Sequence, residues 1–349
     1  MFSSRFSFIA VAAILAAQLR ADCLNQVAQF NPQDRTFAAN LSNLPILSPT
    51  LTDTKKQTAF LVVPVPKSAV QQALNEAYPL LAQKPTLLPL PKSLNFPEGM
   101  HPVLATIGLN NDIRQGALQI DGPLRQSSTT VPFVGTGTSN TPFNAPLITY
   151  IGGTQDSRDA YLAGVVPALV STTVGGIQAA VGGFIPKSAA YQSDGISPDG
   201  KQLFSSNAKF ALLPNEVSGP GLYPEAVDMS FTSESRPRYT LQQLKNMINQ
   251  PFILNSPFNG LAITTCQRNT YFFNNATTQV EWRSGNVTFG TAASRPGVSP
   301  GALQKAGGDG AGGYFGVQGF SACAQSVGFN TLGGQGCEEA ARQVYGEAL

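Results

Sequence analysis

The sequence predicts a mainly β chain of the α+β class, folded as a β-barrel with a few peripheral helices. Three observations carry this. Apolar runs of strand length recur through the middle of the chain, each bounded by Gly, Pro, Asn or Ser. Few segments have helical spacing. No repeat period and no alternation of strand and helix is visible.

In chain order, residues 1–21 read as a secretory leader. Arg5 supplies a positive start and Phe6 to Ala17 an apolar stretch too short to span a bilayer. Residues 22–58 read as an irregular N-terminal arm, 59–290 as the barrel, and 291–349 as a glycine-rich tail with a short terminal helix. Ala59–Val65 is the first strand. Ser68–Ala77 follows as a helix, with Val70, Ala73, Leu74 and Ala77 on one face. Pro102–Leu109 is expected to stop at the polar cluster Asn110–Arg114. Ala117–Ile120 is a short strand, 127–140 a Ser/Thr/Gly loop, and Pro146–Ile151 a buried strand.

The uncharged run 160–186 reads as a helix over about 157–170 and then a strand up to Phe184. Pro167 and the Gly-Gly pairs argue against a transmembrane span. Lys209–Leu213 and Ala226–Phe231 are strands, and Thr240–Asn249 is a helix capped by Thr240. The segments 261–266, 269–273, 279–282 and 286–289 form a meander, with turns at Asn274-Asn275 and Ser284-Gly285.

Of 349 residues, 42% are hydrophobic but only 12% are charged, so Ser, Thr, Asn and Gln must solvate the surface. Removing Arg5 and Arg20 with the leader leaves 20 of the 22 basic residues against 20 acidic ones. No basic surface remains for a nucleic acid. The four cysteines, Cys23, Cys266, Cys323 and Cys337, read as two disulfides in an exported chain. Three pairings exist; Cys323–Cys337 with Cys23–Cys266 is the expected one. Sequons at Asn40, Asn275 and Asn286 mark expected surface glycosylation.

Most catalytic devices are missing. One histidine, His101, rules out a site with two imidazoles, and it reads as structural. No metal or cofactor is expected, and no GxSxG, P-loop or HExxH occurs. The acids Glu98, Asp112, Asp156, Asp159, Glu216 and Glu225 are scattered, as surface acids are.

Lys187 stands apart, because it follows the uncharged run directly. An imine-forming lysine must be neutral near about pH 6–7, against roughly 10.4 for the free side chain. That needs about 5.4 kcal/mol of destabilisation of the ammonium, which an apolar pocket can provide.

The strand Phe60–Val65 leads into the helix Ser68–Ala77. Then come a mid-chain strand with Tyr150, the stretch Gly183-Phe184-Ile185-Pro186-Lys187-Ser188-Ala189, and a late meander. Together these resemble the acetoacetate decarboxylase-like superfamily over about 59–290. The resemblance implies that family's β-barrel, a Schiff-base role for Lys187 and a small carbonyl or β-keto acid ligand. It also implies a substrate-binding arginine and carboxylate, for which Arg114, Asp112 and Glu98 are the candidates beside a strand. Two departures stand out. Ile185 is inserted before Pro186, and Ser188 replaces the decarboxylase's second lysine. The sequence thus poses two readings: a secreted carbon–carbon lyase using Lys187, or a non-catalytic secreted protein binding a small ligand on the same barrel.

Overall fold

The computed structural model describes residues 25–31, 36–37, 58–79, 81, 83–115, 118–120, 123–137, 140–154, 158–173, 176–211, 225–254, 264–273, 280–290, 301–322, 324–329 and 334–342. Nine strands close on themselves: β1 (Thr58–Pro66), β2 (Met100–Gln115), β3 (Leu124–Gly135), β4 (Phe143–Gly153), β5 (Ala179–Ile185), β6 (Gln202–Phe210), β7 (Glu225–Ser233), β8 (Glu281–Phe289) and β9 (Gly313–Ala322). Each pairs with the next in chain order, and β9 returns to β1 through Gln318↔Val62 and its neighbours. All contacts are antiparallel except β4–β5. A parallel pair needs a long crossover, and helix α2 (Arg158–Thr173) forms it. Closure leaves the main sheet without an unpaired edge.

The register sorts side chains into two shells. On β1, Ala59, Leu61, Val63 and Val65 face the lumen, beside Val103, Ala105 and Ile107 of β2. Phe60 and Val62 face outward, where α3 (Leu241–Ile248) covers them with Leu244, Met247 and Ile248. This double burial explains why β1 is an unbroken apolar run rather than an alternating one. Helix α1 (Lys67–Ala77) packs Val70, Ala73, Leu74 and Ala77 into the lumen cluster, and the Tyr78 hydroxyl donates to the Pro146 carbonyl at 2.8 Å. Thr240 caps α3 reciprocally with Gln243, as expected of that sequence.

Several expectations are corrected. The strand that was to end at Leu109 continues to Gln115, and pairs with Leu118–Ile120. The expected Ser/Thr/Gly loop at 127–140 begins as barrel strand β3. Part of the glycine-rich tail is barrel strand β9, and Gly319 is required there. A Cβ at that position would lie 1.9 Å from the Phe60 carbonyl oxygen. Ser284-Gly285 is not a turn but the middle of β8, where a Cβ on Gly285 would meet the Ser230 carbonyl at 2.0 Å. The arm is not wholly irregular either. Asn25–Asn31 forms a strand lying parallel to both the end of β2 and Gln325–Phe329.

The disulfide pairing is also corrected. Cys266 is bonded to Cys337, tying the strand Thr265–Phe272 to the short helix Cys337–Arg342. This excludes both Cys23–Cys266 and Cys323–Cys337. The expected Cys323–Cys337 bridge relied on closeness along the chain and Cys23–Cys266 on tying the N-terminus to the barrel, whereas the fold brings the final helix onto this strand. Cys23 and Cys323 lie outside the described residues, as do residues 1–21, Asn40 and Asn275. Asn286 is exposed on β8. Among the described residues no helix is long and apolar enough to cross a membrane.

His101 is fully buried and hydrogen-bonded through Nε2 to the Pro132 carbonyl at 2.8 Å, the structural role expected of it. Burial pushes its imidazole down to about 4, although the Pro132 bond opposes this. The unfolded imidazole takes a proton near 6.5 that the folded one refuses. Stability from this residue is therefore complete above pH 6.5 and is lost as pH falls towards 4, by up to about 3 kcal/mol. Urea midpoints measured across that window should fall in the native protein and stay flatter in His101→Gln.

Candidate functional site

One end of the barrel, here the upper end, gathers the end of β1 at Thr58, β2 at Asn110, the start of β3 at Leu124, and β5 at Ile185. Near it the lumen changes character. Arg125, Ser127 and Thr129 of β3 all face inward and are 0%, 0% and 2% exposed. Their cross-strand partners include Leu109 and Ile107 on β2, and Tyr150 and Ile148 on β4.

Arg125 is a buried cation with little to satisfy it. Its Nη2 donates to the Ala190 carbonyl at 3.3 Å, and its guanidinium sits 4.8 Å from the centre of the Phe184 ring. Nε and Nη1 have no hydrogen-bond partner, and no carboxylate of the described residues pairs with it. The Ser127 hydroxyl, two residues along the same face, is also without a partner. Burial alone pushes the Arg125 guanidinium down to about 9, so it remains a cation at neutral pH.

A second arginine shows what a satisfied one looks like here. Arg283 of β8, 2% exposed, forms an ion pair with Glu281 through Nη2. Its Nε donates to Ser321 Oγ at 2.8 Å and its Nη1 to Ser233 Oγ at 3.2 Å. It lies 4.8 Å from the Phe204 ring centre. Tyr191 packs edge-on against Phe204 and Phe231, at 5.5 and 5.1 Å. Burial raises the Tyr191 phenol, against the opposing effect of Arg283 and Ser321.

The stretch 182–191 does build this site, but not through its lysine. Phe184 faces the lumen under Arg125. Its ring fits because Gly152 and Gly182 lack side chains: a Cβ on either would lie 3.0 Å from it. After Ile185 the chain turns back, and Ala189, Ala190 and Tyr191 are buried. The Ala190 carbonyl accepts from both Arg125 and Ser206 Oγ, the latter at 2.6 Å. Lys187 lies on the exposed side of that turn. Beside it Ser188 is also exposed, and the chain turns Ala189, Ala190 and Tyr191 inward.

The other expected site residues are not brought together. Glu98 is exposed on the turn before β2. Asp112 and Arg114 sit near the far end of that strand, which is 16 residues long. At about 3.3 Å per residue this places them on the order of 50 Å from Glu98. The side chains of Asp112 and Arg114 lie outside the described ones. The arginine in the lumen is Arg125, which sequence reasoning missed. Its signal was an arginine alternating with Ser127, Thr129 and Val131 at period two. Among the described residues no group of His, Cys, Asp and Glu could hold a metal ion.

Fold and site together define a closed, mainly antiparallel β-barrel with a cationic, hydroxyl-bearing upper lumen. No family model matches the chain, and no curated protein matches it in sequence. Among solved structures it is similar to an enduracididine biosynthesis enzyme, MppR, complexed with the condensation product of pyruvate and imidazole 4-carboxaldehyde. The two are 12% identical, with 81% of this chain and 92% of that one covered and a TM-score of 0.36. At that level the likeness carries no argument, and the assignment of the fold rests on the strand pairing itself.

Proposed function

We propose that this barrel binds a small organic carboxylate in its upper lumen, with Arg125 as the counter-cation and Ser127 as a further donor. The observation that carries the reading is the pair of unpartnered guanidinium nitrogens beside an unpartnered buried hydroxyl. A cation desolvated without an anion is costly. A carboxylate seated on Nε and Nη1 would accept two charge-assisted hydrogen bonds in the geometry guanidinium favours. The satisfied Arg283–Glu281 pair is a fixed neighbour rather than a second anion site. This is the binding-protein reading of the superfamily resemblance, set in an exported chain. The leader-like N-terminus and the paired cysteines support export.

The competing proposal is a Schiff-base lyase acting through Lys187 on a β-keto acid. Lys187 lies on the exposed side of its turn rather than in the buried lumen, so we favour binding without imine chemistry. Titration with a panel of small carboxylates and β-keto acids, followed by borohydride trapping and peptide mass spectrometry, separates the two. Saturable binding without an adduct on Lys187 is the expected result. A reduced adduct on Lys187 would establish the lyase reading, and absence of carboxylate binding would remove the binding one.

A further inference from the structure

The outer face of the same wall carries a second recess, independent of the lumen. Where Arg125, Ser127 and Thr129 point inward, Gln126, Ser128 and Thr130 point outward and line a cavity of about 110 Å³ with Thr106 and Asn144. A water needs roughly 10–15 Å³ of such space, so the cavity has room for a compact ring. Gly108 forms part of its floor, where a Cβ would meet Thr58 Oγ1 at 2.0 Å. Phe60, Phe252 and Tyr271 give it aromatic walls.

Its chemistry is consistent throughout. No charged side chain lines it, so an ionic ligand would find no counter-charge there. The polar groups are hydroxyls and carboxamides, which both donate and accept. Thr106 Oγ1 and Ser128 Oγ are hydrogen-bonded at 2.5 Å, and the Asn110 amide donates to Gln126. Asn144 is 1% exposed. Its Nδ2 donates to the Ile248 and Gln250 carbonyls at 3.2 and 3.1 Å. Its Oδ1 is buried without a hydrogen-bond partner.

A ligand that suits these walls has hydroxyls around its edge, an apolar face for the aromatic rings, and no charge. We infer that this outer cavity binds a neutral sugar of monosaccharide size, with Thr106, Ser128 and Gln126 supplying its polar contacts. The sugar could be a free solute or the end residue of a glycan, and the test distinguishes them.

Calorimetric titration of the full chain would use glucose, galactose, mannose and N-acetylglucosamine, each free and as the terminal residue of a short oligosaccharide. Glucuronate serves as the charged control. At least one neutral sugar is expected to bind saturably and better than glucuronate. Binding of the free form points to a solute, and binding only of the oligosaccharide points to a glycan. Thr106→Val and Gln126→Leu should each weaken binding about tenfold, or about 1.4 kcal/mol. Both variants should stay folded by circular dichroism, and their lumen carboxylate binding should not change. Arg125→Met should leave sugar binding intact. The inference is overturned if no neutral sugar binds, if binding survives both outer-wall substitutions, or if glucuronate binds equally well.

Discussion

Replacing Arg125 with methionine is expected to abolish carboxylate binding and, at the same time, to stabilise the empty protein. The two effects share a cause. Arg125 is fully buried with one carbonyl contact at 3.3 Å and one aromatic ring beneath it, and among the described residues no acid pairs with it. Replacing buried ionic groups with well-packed apolar side chains is often neutral or stabilising, by about 1–4 kcal/mol. Methionine is unbranched and adapts to the space left between Leu109, Phe184 and Gly152. The check is paired: urea unfolding of native and Arg125→Met proteins without ligand, and calorimetry of each with the best carboxylate. A variant that is strongly destabilised would mean that Arg125 holds the fold together instead.

The second large effect is expected at the Cys266–Cys337 bridge. The two residues are 71 apart in sequence, and closing a loop of that length restricts the unfolded chain by about 4 kcal/mol in the chain-entropy treatment. Both cysteines are buried, so serine at each position would also place hydroxyls in the core. The double variant Cys266→Ser/Cys337→Ser should therefore lose about 4 kcal/mol in urea unfolding. A loss below about 1 kcal/mol would show that the final helix contributes little to the folded state's cohesion.

Much of the frame was legible because local signals agreed with the final packing. The unbroken apolar run of β1, the Val70-Ala73-Leu74-Ala77 face of α1 and the Thr240 cap of α3 each form as their residues imply. The site was not legible, for three physical reasons. The inward row of β3 begins with arginine, serine and threonine, so burial ran against the usual apolar pattern and the strand read as a loop. In strand β9 the neighbouring backbone leaves no room for a Cβ at Gly319 and Gly316 takes a positive φ of 66°, whereas glycine in the sequence suggests flexibility. The stretch 182–191 enters the lumen through Phe184, Ala190 and Tyr191, while Lys187 lies on the exposed side of its turn, a division of faces that its composition does not announce. A register that alternates faces can be read only when the strand itself is recognised.

The most direct test of the central claim is the Arg125 Nε–Hε resonance, followed by nuclear magnetic resonance during titration with small carboxylates and with their uncharged amide analogues. The account expects a saturable downfield shift of that resonance with a carboxylate, no shift with the amide, and loss of the signal's response in Ser127→Ala at matched concentration. A resonance that stays put while a carboxylate saturates the protein would contradict it, because the anion would then be held somewhere other than the lumen.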